Sequence, residues 1–311
     1  MDETPGQIIN LTENMNQSLM QVIKSNLVAD RPNTYTYTKA LTEHLIVSEA
    51  SDLPVIIVRP SIVGASWREP LPGWVDNLNG PTGLFLAIGK GFLRVMHLNR
   101  ECIADVIPVD TVVNTLIAAS YYTAMKNNKI PSIQASLRRD CNLEVYGEYE
   151  IESKKNIMKD TKQPSPSEVP IIHCTSGDIN KITWGKLEPQ VLASLVDYPS
   201  HSIVRYPTFK PIGNKYAALF ACLLLHCLPA LIIDIISLLF GKKACFLSIY
   251  QKLHGATRVI SHFTTHSYRF QAKNLRLLKE HLNSVDQLEL CLDVDMIDWK
   301  SYWVDYVLGI R

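Results

Sequence analysis

Residues 31–60 set the tightest limit on what this chain can fold into. Arg31-Pro32-Asn33 ends the short apolar spacing of Leu19–Leu27, because proline disfavours helix in the residue before it. Asn33 or Thr34 then caps a new helix that runs to about Ala50. That helix leads into Leu53–Val58 (LPVIIV), a short apolar and β-branched run closed by Arg59-Pro60, which reads as a buried parallel strand. A helix feeding a fully apolar strand is one arm of an α/β crossover. Val169–Cys174 reads as a second strand.

The rest of the chain divides by composition. Pro70–Gly91 (EPLPGW, NGPTG, GKG) reads as a structured loop region, and Val109–Ala124 as a helix capped by Asp110. Residues 125–168 are polar and weakly periodic, with Lys154-Lys155 and Pro164–Pro166, and read as an exposed insertion. From about Pro207 the pattern is helical. Over 311 residues, 47% hydrophobic and 20% charged content excludes wholesale disorder, and a net charge of +1 excludes an electrostatic nucleic-acid binder. The seven cysteines are odd in number, scattered and without C-x-x-C, which points to reduced thiols in an intracellular protein rather than to a zinc site or a disulfide framework. Met1–Gln17 lacks the basic start and apolar core of a signal peptide.

Tyr216–Phe240 is the most apolar stretch and is long enough to cross a bilayer, which takes about 20 residues. It also holds His226, Pro229 and Asp234. Proline lacks an amide hydrogen and clashes with the preceding turn, so the expectation is two arms that bend at Pro229. One face would be buried and the other would lie on a membrane surface without crossing it.

Chemistry concentrates at Tyr35-x-x-x-Lys39. A spacing of four puts both side chains on one helical face. An ammonium beside a phenol favours the phenolate, so Tyr35 is suited to give a proton to a carbonyl oxygen as hydride reaches the carbon. Tyr122-x-x-x-Lys126 has the same spacing, but only the first pair leads into an apolar strand that ends in a proline-containing loop, where α/β folds place their ligands. His262-x-x-x-His266 reads as an ordinary helix face, without a third ligand for a metal. Asp105 and Asp110, flanking VIPV, read as loop and cap residues. Asp234, within an apolar helix, marks either a site or a hydrogen bond to a neighbouring helix. The tryptophans read as core or acyl-pocket walls.

The words RPNTYTYTKALTEH (31–44), VIIVRPSIVGASWREPLPGWVDNLNGPTG (55–83) and ADVIPVDTVVN (104–114) closely resemble fatty acyl-CoA reductases, members of the extended short-chain dehydrogenase superfamily. CTSG (174–177), ITWG (182–185), HCLPALIID (226–234), KLHGATRVISHFTTHSYRFQAKNL (252–275) and DVDMIDWKSYWVDYVLGIR (293–311) extend the resemblance in the family's order. It implies an alcohol-forming enzyme that reduces long-chain acyl-CoA to fatty alcohol with NADPH. Tyr35 and Lys39 match the family's catalytic pair, and Lys39 is also expected to bind the cofactor's ribose. Pro60, Ser61 and Ile62 match the loop against the nicotinamide, with Pro60 and Ile62 acting through their backbone. The fatty chain is expected between the loop region after Pro70 and the C-terminal helices. No metal is implied.

The implied fold is α/β: a partial Rossmann-like domain, the C-terminal half of a doubly wound sheet, followed by a helical C-terminal domain. The expected divisions are 1–124 for the partial reductase domain, 125–168 for the insertion, 169–206 for the rest of that domain and 207–311 for the helical one. The chain contains no G-x-x-G-x-x-G, so it reads as a truncated member that lacks the nucleotide-binding half and binds NADPH weakly on its own. The alternative to the enzyme is an inactive lipid-binding or membrane-associated remnant. Either is expected inside the cell on a peroxisomal or endoplasmic-reticulum membrane.

Overall fold

A computed structural model describes residues 5–16, 18–19, 22, 27–28, 31–50, 53–127 and 169–311. Residues 128–168 of the predicted insertion, and much of Leu19–Leu27, lie outside the described residues. The chain forms two compact units, residues 1–57 with 123–171 and residues 58–122 with 172–311.

In the first unit, helix α1 (Pro5–Asn14) packs against α2 (Thr34–Glu49). Asn33 caps α2 as the sequence predicts: its backbone is extended and its side-chain oxygen accepts from the Thr36 amide at 3.0 Å.

The second unit is built on three short strand pairs. The first ladder is β1 (Ile57–Pro60), not Leu53–Val58. The Leu53 and Val55 amides are taken by local bonds to Ala50 and Leu53. β1 is half-buried rather than fully buried. Ladder amides alternate sides with a period of two. Ile57 and Ser61 donate to Pro170 and Cys174 on one side, and Ile62 donates to Asp105 on the other. Pro60 falls one step before that second ladder begins, so its missing N–H costs no bond. β2 (Ile62–Gly64) continues the same run.

Helix α3 (Pro81–Gly89) occupies a stretch that composition assigns to loop. Pro81 stands in the first turn, where its missing N–H has no intrahelical partner to lose, and Gly80 before it takes φ 58°. β3 (Val95–His97) and the fully buried β4 (Val106–Pro108) follow, then α4 (Val109–Asn127). β5 (Ile171–Cys174), α5 (Trp184–Asp197) and β6 (Lys210–Ile212) complete the α/β part. β2 pairs with β4 and β3 with β6, both parallel, and β1 pairs with β5.

The remainder is helical: α6 (Lys215–Cys222), a π turn (Leu223–Cys227), α7 (Leu228–Leu239), α8 (Phe246–Thr265), α9 (Lys273–Glu280), α10 (Ser284–Glu289) and α11 (Trp299–Ile310). Pro229 does not divide the Tyr216–Phe240 stretch into separate arms. Lys215–Leu239 is one continuous helix of 25 residues. The π turn ends two residues before Pro229, and the Leu228 amide reaches back to the Leu223 carbonyl. That widened turn relieves the proline ring where a regular turn would clash.

α11 anchors the core. Trp303 is fully buried, and Phe85 of α3 meets Trp303 and Tyr306 edge-on at 6.0 and 5.4 Å. The Tyr302 hydroxyl donates to the Ala65 carbonyl, and Tyr306 shares a bond with Thr82, both at 2.8 Å.

Candidate active site

Tyr35 and Lys39 stand one turn apart on α2, and both are exposed; Tyr35 keeps 64% of its surface. The Lys39 ammonium lies 5.8 Å from the Tyr35 ring centroid, within the roughly 6 Å range of a cation–π contact. Tyr37, on the other side of the helix, is the residue that α2 buries. Alternation in TYTYTK thus turns one tyrosine inward and leaves the one paired with lysine open to a ligand.

Pro60, Ser61 and Ile62 lie in the second unit, where the run of β1 and β2 changes partner from β5 to β4. Pro60 is exposed and Ile62 half-buried. In α/β sheets, ligands bind at the carboxyl ends of strands where the topology switches. Ser61 Oγ is buried there without a hydrogen-bond partner among the described residues. A buried hydroxyl with an open hydrogen-bonding position fits a polar group brought by a ligand.

A family model described as Male sterility protein, an NAD-binding one, matches residues 4–116, and a second with the same description matches residues 225–311. Fatty acyl-CoA reductase 2 of Mus musculus is 37% identical over 307 residues, 99% of this chain and 52% of the relative. Fatty acyl-CoA reductase 1 of Rattus norvegicus is 34% identical and that of Homo sapiens 33%, with the same coverage. This chain belongs to the fatty acyl-CoA reductase family. It spans about half the length of the curated relatives it matches.

Membership in the fatty acyl-CoA reductases implies a nicotinamide cofactor. The open hydroxyl of Ser61 suits a carboxamide, and Pro60 and Ile62 flank it.

Two aspartates hold the loops around these strands. Asp105 is buried and accepts from the Thr175 hydroxyl, the Ser176 amide at 2.9 Å and the Gly177 amide at 3.1 Å. This explains the CTSG word as a carboxylate cradle. Asp110 does not cap α4, as the sequence suggested. Its carboxylate accepts from the Trp67, Arg68 and Glu69 amides at 2.9, 2.8 and 3.2 Å and fixes the loop after β2.

Between the loop region after Pro70 and the C-terminal helices, where a fatty chain is expected, the backbone of Gly73 lies directly against α11. Gly73 has φ 78°, and a Cβ there would overlap the Asp305 carbonyl of α11. A shallow apolar cleft with about 30 Å³ of free volume lies between α3 and α5. Leu84, Phe85, Ile88, Met96, Trp184 and Val191 form much of its wall. Glu188 is its charged liner and is paired with Arg100 at 3.0 Å. The sequence contains the signal for this wall, the apolar LFLAI of α3, but composition hid it among prolines and glycines.

One cluster escaped the sequence reading. Cys222, His226 and His254 bring one sulfur and two ring nitrogens within 4.8 Å of one another. The arrangement does not fit a metal. The Arg94 amide donates to His226 Nε2 at 3.0 Å, so the neutral ring keeps its proton on Nδ1, which faces His254 Nε2 at 3.0 Å. His226 then has no lone pair for a cation. Burial, with His254, Arg205 and Arg94 nearby, lowers its pKa to about 4. His262 and His266 stack on each other at 4.3 Å, and His266 Nδ1 lies 2.9 Å from the His262 carbonyl.

Proposed function

We propose that this chain belongs to an alcohol-forming reductase that takes long-chain fatty acyl-CoA to fatty alcohol with NADPH, on a peroxisomal or endoplasmic-reticulum membrane. The observation that carries this reading is Tyr35: a phenol exposed on a helix face with an ammonium one turn away. Reduction of a thioester to an alcohol consumes two hydrides and releases the thiol. The nicotinamide supplies hydride when bound. Tyr35 delivers the proton to the carbonyl oxygen, which keeps charge from building there. Lys39, one turn along the same helix, binds the ribose hydroxyls in this reading. Pro60 and Ile62 present backbone to the nicotinamide, and the Ser61 hydroxyl is open to its carboxamide.

In this reading residues 1–124 and 169–206 serve the reductase domain, and 207–311 form a helical domain that supports it.

The test is fatty alcohol formation from a long-chain acyl-CoA with NADPH, comparing the chain, and a full-length relative, with their Tyr35→Phe counterparts. Alcohol formation that survives the change with normal expression rejects Tyr35 as the donor.

A second reading, lipid or membrane binding without turnover, is favoured by the broad apolar surface of Lys215–Leu239. NADPH titration separates the two. Lipid binding by a chain that binds no NADPH and forms no alcohol supports the second.

A further inference from the structure

We propose that Lys215–Leu239 lies in the plane of an anionic membrane, with its apolar face in one leaflet, and does not cross the bilayer. This deepens the membrane association proposed above and rests on it.

Length alone permits crossing: 25 helical residues extend about 37 Å at 1.5 Å per residue, more than a hydrocarbon core. The pattern of burial decides otherwise. Ala218, His226, Ala230 and Asp234 are the buried positions, spaced by four or eight residues, so they form one stripe along the helix. Polar bonds hold that stripe to the protein. His226 accepts from the Arg94 amide and donates to His254. Asp234 accepts from the Cys245, Phe246 and Leu247 amides at 2.9, 3.0 and 2.8 Å, at the start of α8. A crossing helix would either break these bonds or carry α8 into hydrocarbon with its exposed Gln251, Lys252 and Arg258. Charged and unpaired polar groups are costly there.

The other side is open. Leu219, Phe220, Leu223, Ile232, Ile235 and Leu239 are all exposed, Leu239 at 80%. Such a contiguous apolar surface on a folded chain marks an interaction site. Tyr216 stands exposed at one end, where its amphipathic ring suits a membrane interface, and the apolar ring of Phe240 is exposed at the other. Lys215 at one end and Lys242 and Lys243 at the other are exposed, and cations at both ends suit anionic headgroups. In an ordinary in-plane helix the polar face meets water. Here the protein body occupies that position, joined through His226 and Asp234.

The experiment is flotation of the 311-residue chain with vesicles of phosphatidylcholine and phosphatidylserine, against phosphatidylcholine alone. It is paired with amine labelling of Lys215 and Lys242 from outside sealed vesicles. The expected result is flotation that weakens at least tenfold without phosphatidylserine, with both lysines labelled from outside. Leu223→Glu with Ile235→Glu should reduce flotation at least tenfold while leaving the circular dichroism spectrum intact, since both side chains are already exposed. Labelling of only one of the two lysines from outside means that the helix crosses and overturns the proposal. So does failure to float. In that case a concentration-dependent dimer in sedimentation, lost in the double variant, would assign the face to a second copy of the chain. Fatty alcohol formation from detergent-dispersed acyl-CoA is read separately, so failure of the reductase reading leaves this result standing.

Discussion

Helices α2 and α11 both present tyrosines, and they use them in opposite ways. In α2, Tyr37 alone is buried, and Tyr35 projects into solvent beside Lys39. In α11, Trp299, Tyr302, Trp303, Tyr306 and Val307 are all buried. Burial drives the Tyr302 phenol well above its ordinary range, with the neighbouring Tyr306 and Asp110 adding to it. Burial also raises Tyr306 to about 12. Their hydroxyls are held in internal bonds: Tyr302 donates to the Ala65 carbonyl, and Tyr306 shares a bond with Thr82. The same side chain is a structural pin in one helix and solvent-exposed beside a lysine in the other, and the difference lies in the environment.

That contrast breaks first at α11. Trp303→Ala removes a fully buried indole stacked on Trp299 at 5.6 Å, and should cost about 3–5 kcal/mol in denaturant unfolding. A loss under about 1 kcal/mol would mean that α11 is not the anchor of its unit.

Tyr35→Phe tests the opposite end. In a reductase assay, alcohol formation should fall about 10²–10⁴-fold, the usual range for a positioned acid. Unfolding free energy should stay within about 0.5 kcal/mol, because the residue is exposed. A large stability loss would place Tyr35 with Tyr302 as a structural residue.

A third ring, His226, sharpens the comparison through pH. Its folded pKa of about 4 lies below the ordinary 6.5, so the unfolded chain takes up more protons between these values. Stability should be full above pH 6.5 and decline as the pH falls toward 4. His254, lowered by burial and then by Arg258, adds to the same trend. Denaturant midpoints measured across this range should flatten in His226→Gln. A wild-type profile that is already flat would show that His226 is not held neutral by its surroundings.

The smallest expected effect is Tyr302→Phe, which deletes one buried hydroxyl and leaves the Ala65 carbonyl without that donor. It should cost about 0.5–1.5 kcal/mol by the same unfolding measurement, and clearly more than Tyr35→Phe.

The parts of this molecule that were legible in advance are those governed by neighbours within a few residues. Asn33 as the cap of α2, the one-turn spacing of Tyr35 and Lys39, and strand character near residues 57 and 171 all follow from local bonds and periodicities. The words around them were sufficient to indicate the family. What proline does in a helix was not legible, because Pro229 is accommodated by a π turn that the rule for isolated helices does not foresee. Nor was α3, whose Phe85 finds its ring partners, Trp303 and Tyr306, only in the distant α11.

The sequence by itself determined where a phenol and an ammonium stand together, and that the residues from 216 to 240 are the most apolar stretch of the chain. Only the tertiary structure decided which residues hold them in place. Asp110 binds amides 41 to 43 positions earlier, and His226 meets an amide 132 positions away. The physical reason is the same in both cases. Helix periodicity acts over one or two turns, whereas the partner of a buried carboxylate or imidazole is chosen by chain topology, which brings distant backbone amides to it.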